Sequence, residues 1–237
     1  MNTGTGANGR GARLPPAGGR KELRETFKAG HVVRLPGFLP RPLVRRISSA
    51  LKRGDFFERK SKIISRRVFS DPYWQARLIV LLNEPALFDF IAEIAGCPRP
   101  KSSKGIICRI PPDSPKHYVK WHFDPRPPEE RWTNVSLTIN VGEKFEGGDL
   151  EIKAPGPRGA LSRASNCVPG DALLFRNDLD HRSAKVRGAK PKDLFVAWFS
   201  LEPSSALAAC RAIIARGSRG RAGSRQKAAA APQAPGY

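Results

Sequence analysis

From residue 104 to about 201 the chain is cut into short apolar or alternating runs, each closed by a turn. Ile106-Ile107-Cys108 is one run, Tyr118-Val119-Lys120-Trp121-His122-Phe123 another, and residues 135–141 a third. Asp149-Leu150-Glu151-Ile152 follows Gly147-Gly148, and Ala172-Leu173-Leu174-Phe175 follows Pro169-Gly170-Asp171. Residues 181–186 precede another turn, and residues 194–201 read as a buried late strand. Many short strands at this spacing pack as a sandwich or jelly roll. The expected fold class is therefore mainly β, and the sequence carries no internal repeat.

The first hundred residues carry a different pattern. His31 to Leu39 reads as a strand and turn. Leu43, Ile47 and Leu51 form one stripe of a helix over about 42–53, with Phe56-Phe57 anchoring its end. Tyr73, Trp74, Leu78 and Leu81 suggest a second helix, and Leu87, Phe90, Ile91 and Ile94 a third near 85–95. The organisation expected is a disordered basic extension over 1–25, a helical support region over 26–103, a β core over 104–203, and a short helix with a basic disordered tail over 204–237. The two ends are rich in glycine, proline and small polar residues, which bury too little apolar surface to offset chain ordering.

Forty-two Lys and Arg against 21 Asp and Glu give a net charge of +21. Such a surface attracts nucleic acid, anionic protein tails or anionic lipid. The basic residues concentrate in the N-terminal half (Arg41, Arg45, Arg46, Lys52, Arg53, Arg59, Lys60, Lys62, Arg66, Arg67) and in the C-terminal tail. A basic solvated surface is the plainer reading of the same residues. No run approaches the roughly 20 apolar residues of a membrane span, so no transmembrane association is expected. The start has no apolar signal-peptide segment. Cys97, Cys108, Cys167 and Cys210 lack close paired spacing, which points to a reducing cytoplasm, or the nucleus if the source is eukaryotic.

His122 and Asp124 carry the chemistry. Side chains two apart on a strand share a face, so both can converge on one ion while Phe123 points away. A third ligand, His181, must come from a distant strand. Two histidines and a carboxylate on one triangular face leave positions open for reactants, the ligand set of a non-haem Fe(II) oxygenase. A structural zinc site, with four protein ligands, would not. Taken alone, H-x-D with one remote histidine is a weak signal.

Around these residues the chain resembles the 2-oxoglutarate- and Fe(II)-dependent dioxygenases, particularly their prolyl-hydroxylase-like branch. The similar blocks are Tyr118-Val119-Lys120-Trp121-His122-Phe123-Asp124, Phe145-Glu146-Gly147-Gly148-Asp149-Leu150, Pro169-Gly170-Asp171-Ala172-Leu173-Leu174-Phe175, Asp180-His181, Lys190 and Phe195-Val196-Ala197-Trp198-Phe199. The resemblance implies a double-stranded β-helix with supporting N-terminal helices. It implies Fe(II) held by His122, Asp124 and His181, with 2-oxoglutarate and dioxygen as co-substrates and ascorbate as a candidate reductant. It places Lys190, nine residues after His181, at the remote carboxylate of 2-oxoglutarate, with Arg187 and Lys192 as alternatives. Relatives often use a tyrosine on the strand read here as 135–141; this chain has Thr138 there, which could donate a hydroxyl hydrogen bond to the co-substrate. Asn140 reads as a polar neighbour of the site or a strand-end residue. Retention of Asp124 argues against the superfamily's halogenases.

The implied reaction is hydroxylation of an amino-acid side chain in a protein or peptide, with release of succinate and carbon dioxide. Oxidative N-demethylation of a nucleic acid is the enzymatic alternative, and a noncatalytic basic jelly-roll binding module is the other. Trp121 and Trp198 read as packing groups, Trp132 as a candidate substrate contact, and His31 and His117 as structural residues.

Overall fold

A computed structural model of the chain describes residues 11–124, 131–156 and 159–220. A 3-10 turn, Ala17–Gly19, leads into α1 (Arg20–Gly30), β1 (Val32–Leu35) and α2 (Arg41–Arg53). A hairpin of β2 (Phe56–Lys60) and β3 (Ile64–Phe69) precedes α3 (Pro72–Leu82) and α4 (Pro85–Ala95). Then come β4 (Ser102–Ile110), β5 (Tyr118–His122), β6 (Trp132–Asn140), β7 (Glu146–Gly147), β8 (Leu150–Lys153) and β9 (Leu161–Ala164). The last elements are β10 (Ala172–Arg176), β11 (His181–Ser183), β12 (Val186–Arg187), β13 (Lys192–Ser200) and α5 (Ala206–Gly220). Prolines stand in the first turns of α2, α3 and α4, where a missing N–H costs nothing. Among the described residues no helix is long and apolar enough to cross a membrane.

All strand pairings are antiparallel, and the main path runs β1-β10-β6-β13-β4-β3-β5-β11-β8-β9. The first six strands form one wall and the last four the facing wall, a double-stranded β-helix. β3 joins them. It pairs with β4 at Arg67↔Arg109 and Val68↔Cys108, then with β5 at Ile64↔Val119 and Ser65↔Tyr118. β1 and β9, the free ends of the path, approach each other.

Alternation along the larger wall explains where the core lies. Val135, Leu137, Ile139, Leu174, Phe195, Ala197 and Phe199 face the helices and share a core with Trp74, Leu78, Phe90 and Ile91. Thr138, Leu173, Phe175, Leu194, Val196 and Trp198 face the barrel interior. A one-residue slip would exchange the two sets, so the helical layer pins the register that aims the interior residues. The Pro169-Gly170-Asp171 turn is fixed similarly. Gly170 has φ +90°, and a Cβ there would lie 2.7 Å from the Leu39 carbonyl oxygen. Asp171 accepts from Arg34 Nε and the Gly37 amide, each at 2.8 Å, tying this turn to β1.

Three expectations about organisation need correction. The extension expected to be disordered over 1–25 is ordered from residue 11, because Leu14 and Leu23 pack on the core and α1 begins at Arg20; residues 1–10 lie outside the described residues. Phe56-Phe57 does not end a helix but opens β2. Residue 104 is no boundary, since β1, β2 and β3 from the expected support region belong to the main sheet. The short C-terminal helix is present as α5, and the basic tail from 221 lies outside the described residues.

Candidate metal centre

His122 ends β5 and His181 opens β11, and the register sets them directly opposite one another. Asp124 lies two residues beyond His122, where its amide donates to the Asn177 carbonyl at 3.0 Å. One ligand atom from each of His122, Asp124 and His181 lies within 4.8 Å of the other two. The imidazole centroids are 4.3 Å apart, and His122 Nε2 is 3.6 Å from Asp124 Oδ1. The three residues predicted as ligands are thus brought together from separate stretches of chain.

Hydrogen bonds fix which atoms face the centre. His122 Nδ1 lies 2.8 Å from the Lys120 carbonyl and His181 Nδ1 2.9 Å from the Leu179 carbonyl. A carbonyl only accepts, so each Nδ1 carries the proton and each Nε2 keeps its lone pair for a metal. Asp124 Oδ2 accepts from Trp198 Nε1 at 2.6 Å and from Ser136 Oγ at 3.3 Å. Asn177 Nδ2 donates to Ser136 Oγ at 2.8 Å, orienting that hydroxyl. Oδ1 is left to face His122, as a single-oxygen ligand.

Electrostatics favour the same set. Burial lowers the His181 pKa and keeps the ring neutral, against the opposing Asp124 charge. Burial alone would raise the Asp124 pKa, but the two neighbouring imidazoles and the Trp198 N–H outweigh it and hold the carboxyl below its ordinary range. Two imidazole nitrogens beside a carboxylate suit a divalent cation with mixed nitrogen and oxygen preference, and three ligands leave coordination positions free.

The cavity over these ligands has apolar walls from Leu173, Phe175, Leu194 and Val196. Thr138 lines it beside Asn166, whose Nδ2 donates to the Thr138 carbonyl at 3.1 Å. At the far end Lys192 enters the cavity fully buried, donating to the Gly148 carbonyl at 2.5 Å and to Ser183 Oγ at 2.9 Å. Burial pushes its pKa down to about 8, with Cys108 and Asp149 opposing. Gly148, at φ +66°, permits this approach; a Cβ there would sit 3.0 Å from Lys192 Cδ.

Lys190 is placed elsewhere. It is exposed and paired with Glu143 at 2.8 Å, and Glu143 also holds Lys52 at 2.5 Å. Lys190 belongs to the turn before β13 and is not among the residues lining the cavity. Arg187 is also exposed, in the small β12–β7 ribbon. Trp198, read as packing, is a direct partner of Asp124. Trp121 lies on the outer surface between Lys153 and Arg182. Trp132 sits near Lys104, its buried Nε1 without a hydrogen-bond partner. Asn140 braces a loop through Glu143, Cys167 and Gly142. His31 caps α1 and His117 bonds Ser114, both structural roles. Ser136 and Asn177 are the site residues the sequence left without a role, with Lys192 only an alternative to Lys190; the inward face of β6 and the first inward residue of β13 were the available signals.

No protein-family model and no curated protein matches the sequence. Solved structures do match in fold. A 2OG-Fe(II) oxygenase family oxidoreductase from Burkholderia pseudomallei aligns with TM-score 0.59 and 18% identity, over 81% of this chain and 96% of that one. A prolyl-4-hydroxylase from Pseudomonas putida gives 0.56 and 14%, over 77% and 99%. A Trichoplax adhaerens prolyl hydroxylase, in complex with a hypoxia inducible factor oxygen degradation domain peptide fragment, gives 0.56 and 12%, over 83% and 91%. The chain therefore has the fold of this enzyme group, as the sequence resemblance implied.

Proposed function

We propose that the chain is an Fe(II)- and 2-oxoglutarate-dependent dioxygenase that hydroxylates an amino-acid side chain in a protein or peptide. The carrying observation is a His122–Asp124–His181 cluster at one end of a cavity whose other end holds buried Lys192. When bound there, iron would supply oxygen activation coupled to conversion of 2-oxoglutarate into succinate and carbon dioxide. The chain's own residues set the geometry. The Lys120 and Leu179 carbonyls lock the histidine tautomers, and Trp198 with Ser136 orients Asp124. Lys192 is the residue positioned to receive the remote carboxylate of 2-oxoglutarate, with Thr138 lining the same cavity. Leu173, Phe175, Leu194 and Val196 keep water from the reacting end.

The fold alone does not choose a substrate. A protein or peptide is favoured by the prolyl-hydroxylase neighbours, one of which is held with a peptide, and by exposed Phe57, Ile63 and Phe123, the last adjoining Asp124. The four cysteines are unpaired, in keeping with the cytoplasm as its setting.

The test is substrate capture from cell extract followed by mass-resolved turnover with Fe(II) and 2-oxoglutarate. A peptide heavier by one oxygen, with matching succinate, supports the reading; formaldehyde from methylated nucleic acid would replace it with demethylation. His122→Ala should abolish metal binding and turnover. Undiminished turnover in that variant would refute the metal assignment.

A further inference from the structure

The Lys192 end of the cavity contains a second cation. Arg66 of β3 lines the same cavity, and its buried Nε has no hydrogen-bond partner. The register explains how it gets there. Arg67 pairs with Arg109, and Ile110, the next residue of β4, pairs with Lys192. One further step sets Arg66, Ile110 and Lys192 side by side across three strands, with the two cationic residues about 10 Å apart at their Cα atoms and projecting from one face. Both charges act on the buried Cys108 thiol.

Neither cation has a carboxylate partner within the cavity. Lys192 bonds a carbonyl and a hydroxyl. Among the described lining residues Asp124 is the only carboxylate, and it serves the metal cluster at the other end. Arg182, which also lines the cavity, is bonded to Glu151 at 2.6 Å. Two like charges sharing a mostly apolar enclosure are unfavourable until an anion joins them. An unsatisfied buried donor adds to that demand.

We propose that Arg66 is a second binding group for the remote carboxylate of the oxo-acid, acting with Lys192 to select a dicarboxylate over a monocarboxylate. This rests on the reading of the cavity as a 2-oxoglutarate site. Lys192 supplies a point charge, and Arg66 a planar guanidinium whose fork matches a carboxylate. With the 1-carboxylate held at the metal end, Lys192 and Arg66 would share the single remote carboxylate, so both ends of the site would act on one ligand.

The experiment is calorimetric binding to the full chain loaded with Mn(II), without oxygen or primary substrate. The ligands are 2-oxoglutarate and 2-oxopentanoate, in which a methyl replaces the remote carboxylate. Arg66→Met should bind 2-oxoglutarate roughly tenfold to a hundredfold more weakly than wild type, with 2-oxopentanoate unchanged. Arg66→Lys should fall between, and carries the test if the methionine variant does not fold. Unaltered 2-oxoglutarate affinity, or equal loss of both ligands, overturns the proposal. If wild-type protein binds the metal but neither oxo-acid, the underlying assignment of the cavity fails instead.

Discussion

Trp198 Nε1 donates to Asp124 Oδ2 at 2.6 Å, so the indole of the last core strand holds the only acidic member of the metal cluster. The bond fixes which carboxylate oxygen turns to the histidines. It also makes β13 a part of the site at both ends, through Trp198 here and Lys192 at the opposite limit.

Replacing Trp198 with Phe should keep an aromatic ring, though a smaller one, and lose this hydrogen bond. Partners of metal ligands that orient them contribute about 10–100-fold in affinity. We expect Fe(II) or Mn(II) binding to weaken by that order, measured by calorimetry, while the far-ultraviolet dichroism stays that of the wild type.

Lys192 gives a pH signature. Its pKa is lowered in the folded protein from 10.5 to about 8, because burial disfavours the charged form. The folded state therefore binds fewer protons than the unfolded state between those values, and stability rises with pH across that window. Binding of an anion runs the other way, because it requires the protonated amine. The Kd for 2-oxoglutarate should be level below pH 8 and rise above it by up to about tenfold per unit, a slope that Lys192→Met removes along with most affinity. Lys190→Met should leave the Kd unchanged; an effect equal to that of Lys192→Met would return the role to the exposed residue.

Glu143 predicts behaviour in acid. Hydrogen bonds from Lys190 and Lys52 hold its pKa down at about 2, against an ordinary 4.5. A depressed carboxylate contributes stability that is present above pH 4.5 and is lost as pH falls towards 2. The group is solvent-accessible, so the effect is small. Melting temperatures of Glu143→Gln and wild type should converge across this interval, with the difference confined to higher pH.

Gly105 tests the helical layer. A Cβ there would lie 2.4 Å from Phe195 Cζ, inside the packed core. Gly105→Ala should destabilise the fold by about 1–3 kcal/mol through overpacking, read by urea unfolding. A midpoint equal to wild type would mean that Phe195 has room to move.

The candidate metal ligands were legible because His122 and Asp124 lie two residues apart and the blocks around them and His181 resemble a known family; the spacing alone was a weak signal, and Asp124 in fact lies just past the end of β5. Their supports were not. Ser136 on β6 and Asn177 just past β10 reach Asp124 because these paired strands adjoin near its loop, a fact of topology rather than spacing. Lys190 and Lys192 differ by two residues, which on a continuous strand would give them the same face. Which of them enters the cavity depends on where β13 begins, which cannot be counted along the chain. The helices of residues 41–95 were readable from their apolar stripes. The β2–β3 hairpin was not, because its Arg- and Lys-rich sequence shows no clean alternation.

That hairpin decides what can be cut from the protein. β3 spans the gap between β4 and β5, so a fragment begun at residue 104 would be an open trough whose long edges carry unpaired backbone groups. Chimeras and minimal fragments must begin upstream of Val32, so that both β1 and the β2–β3 hairpin are kept, to retain a sealed vessel.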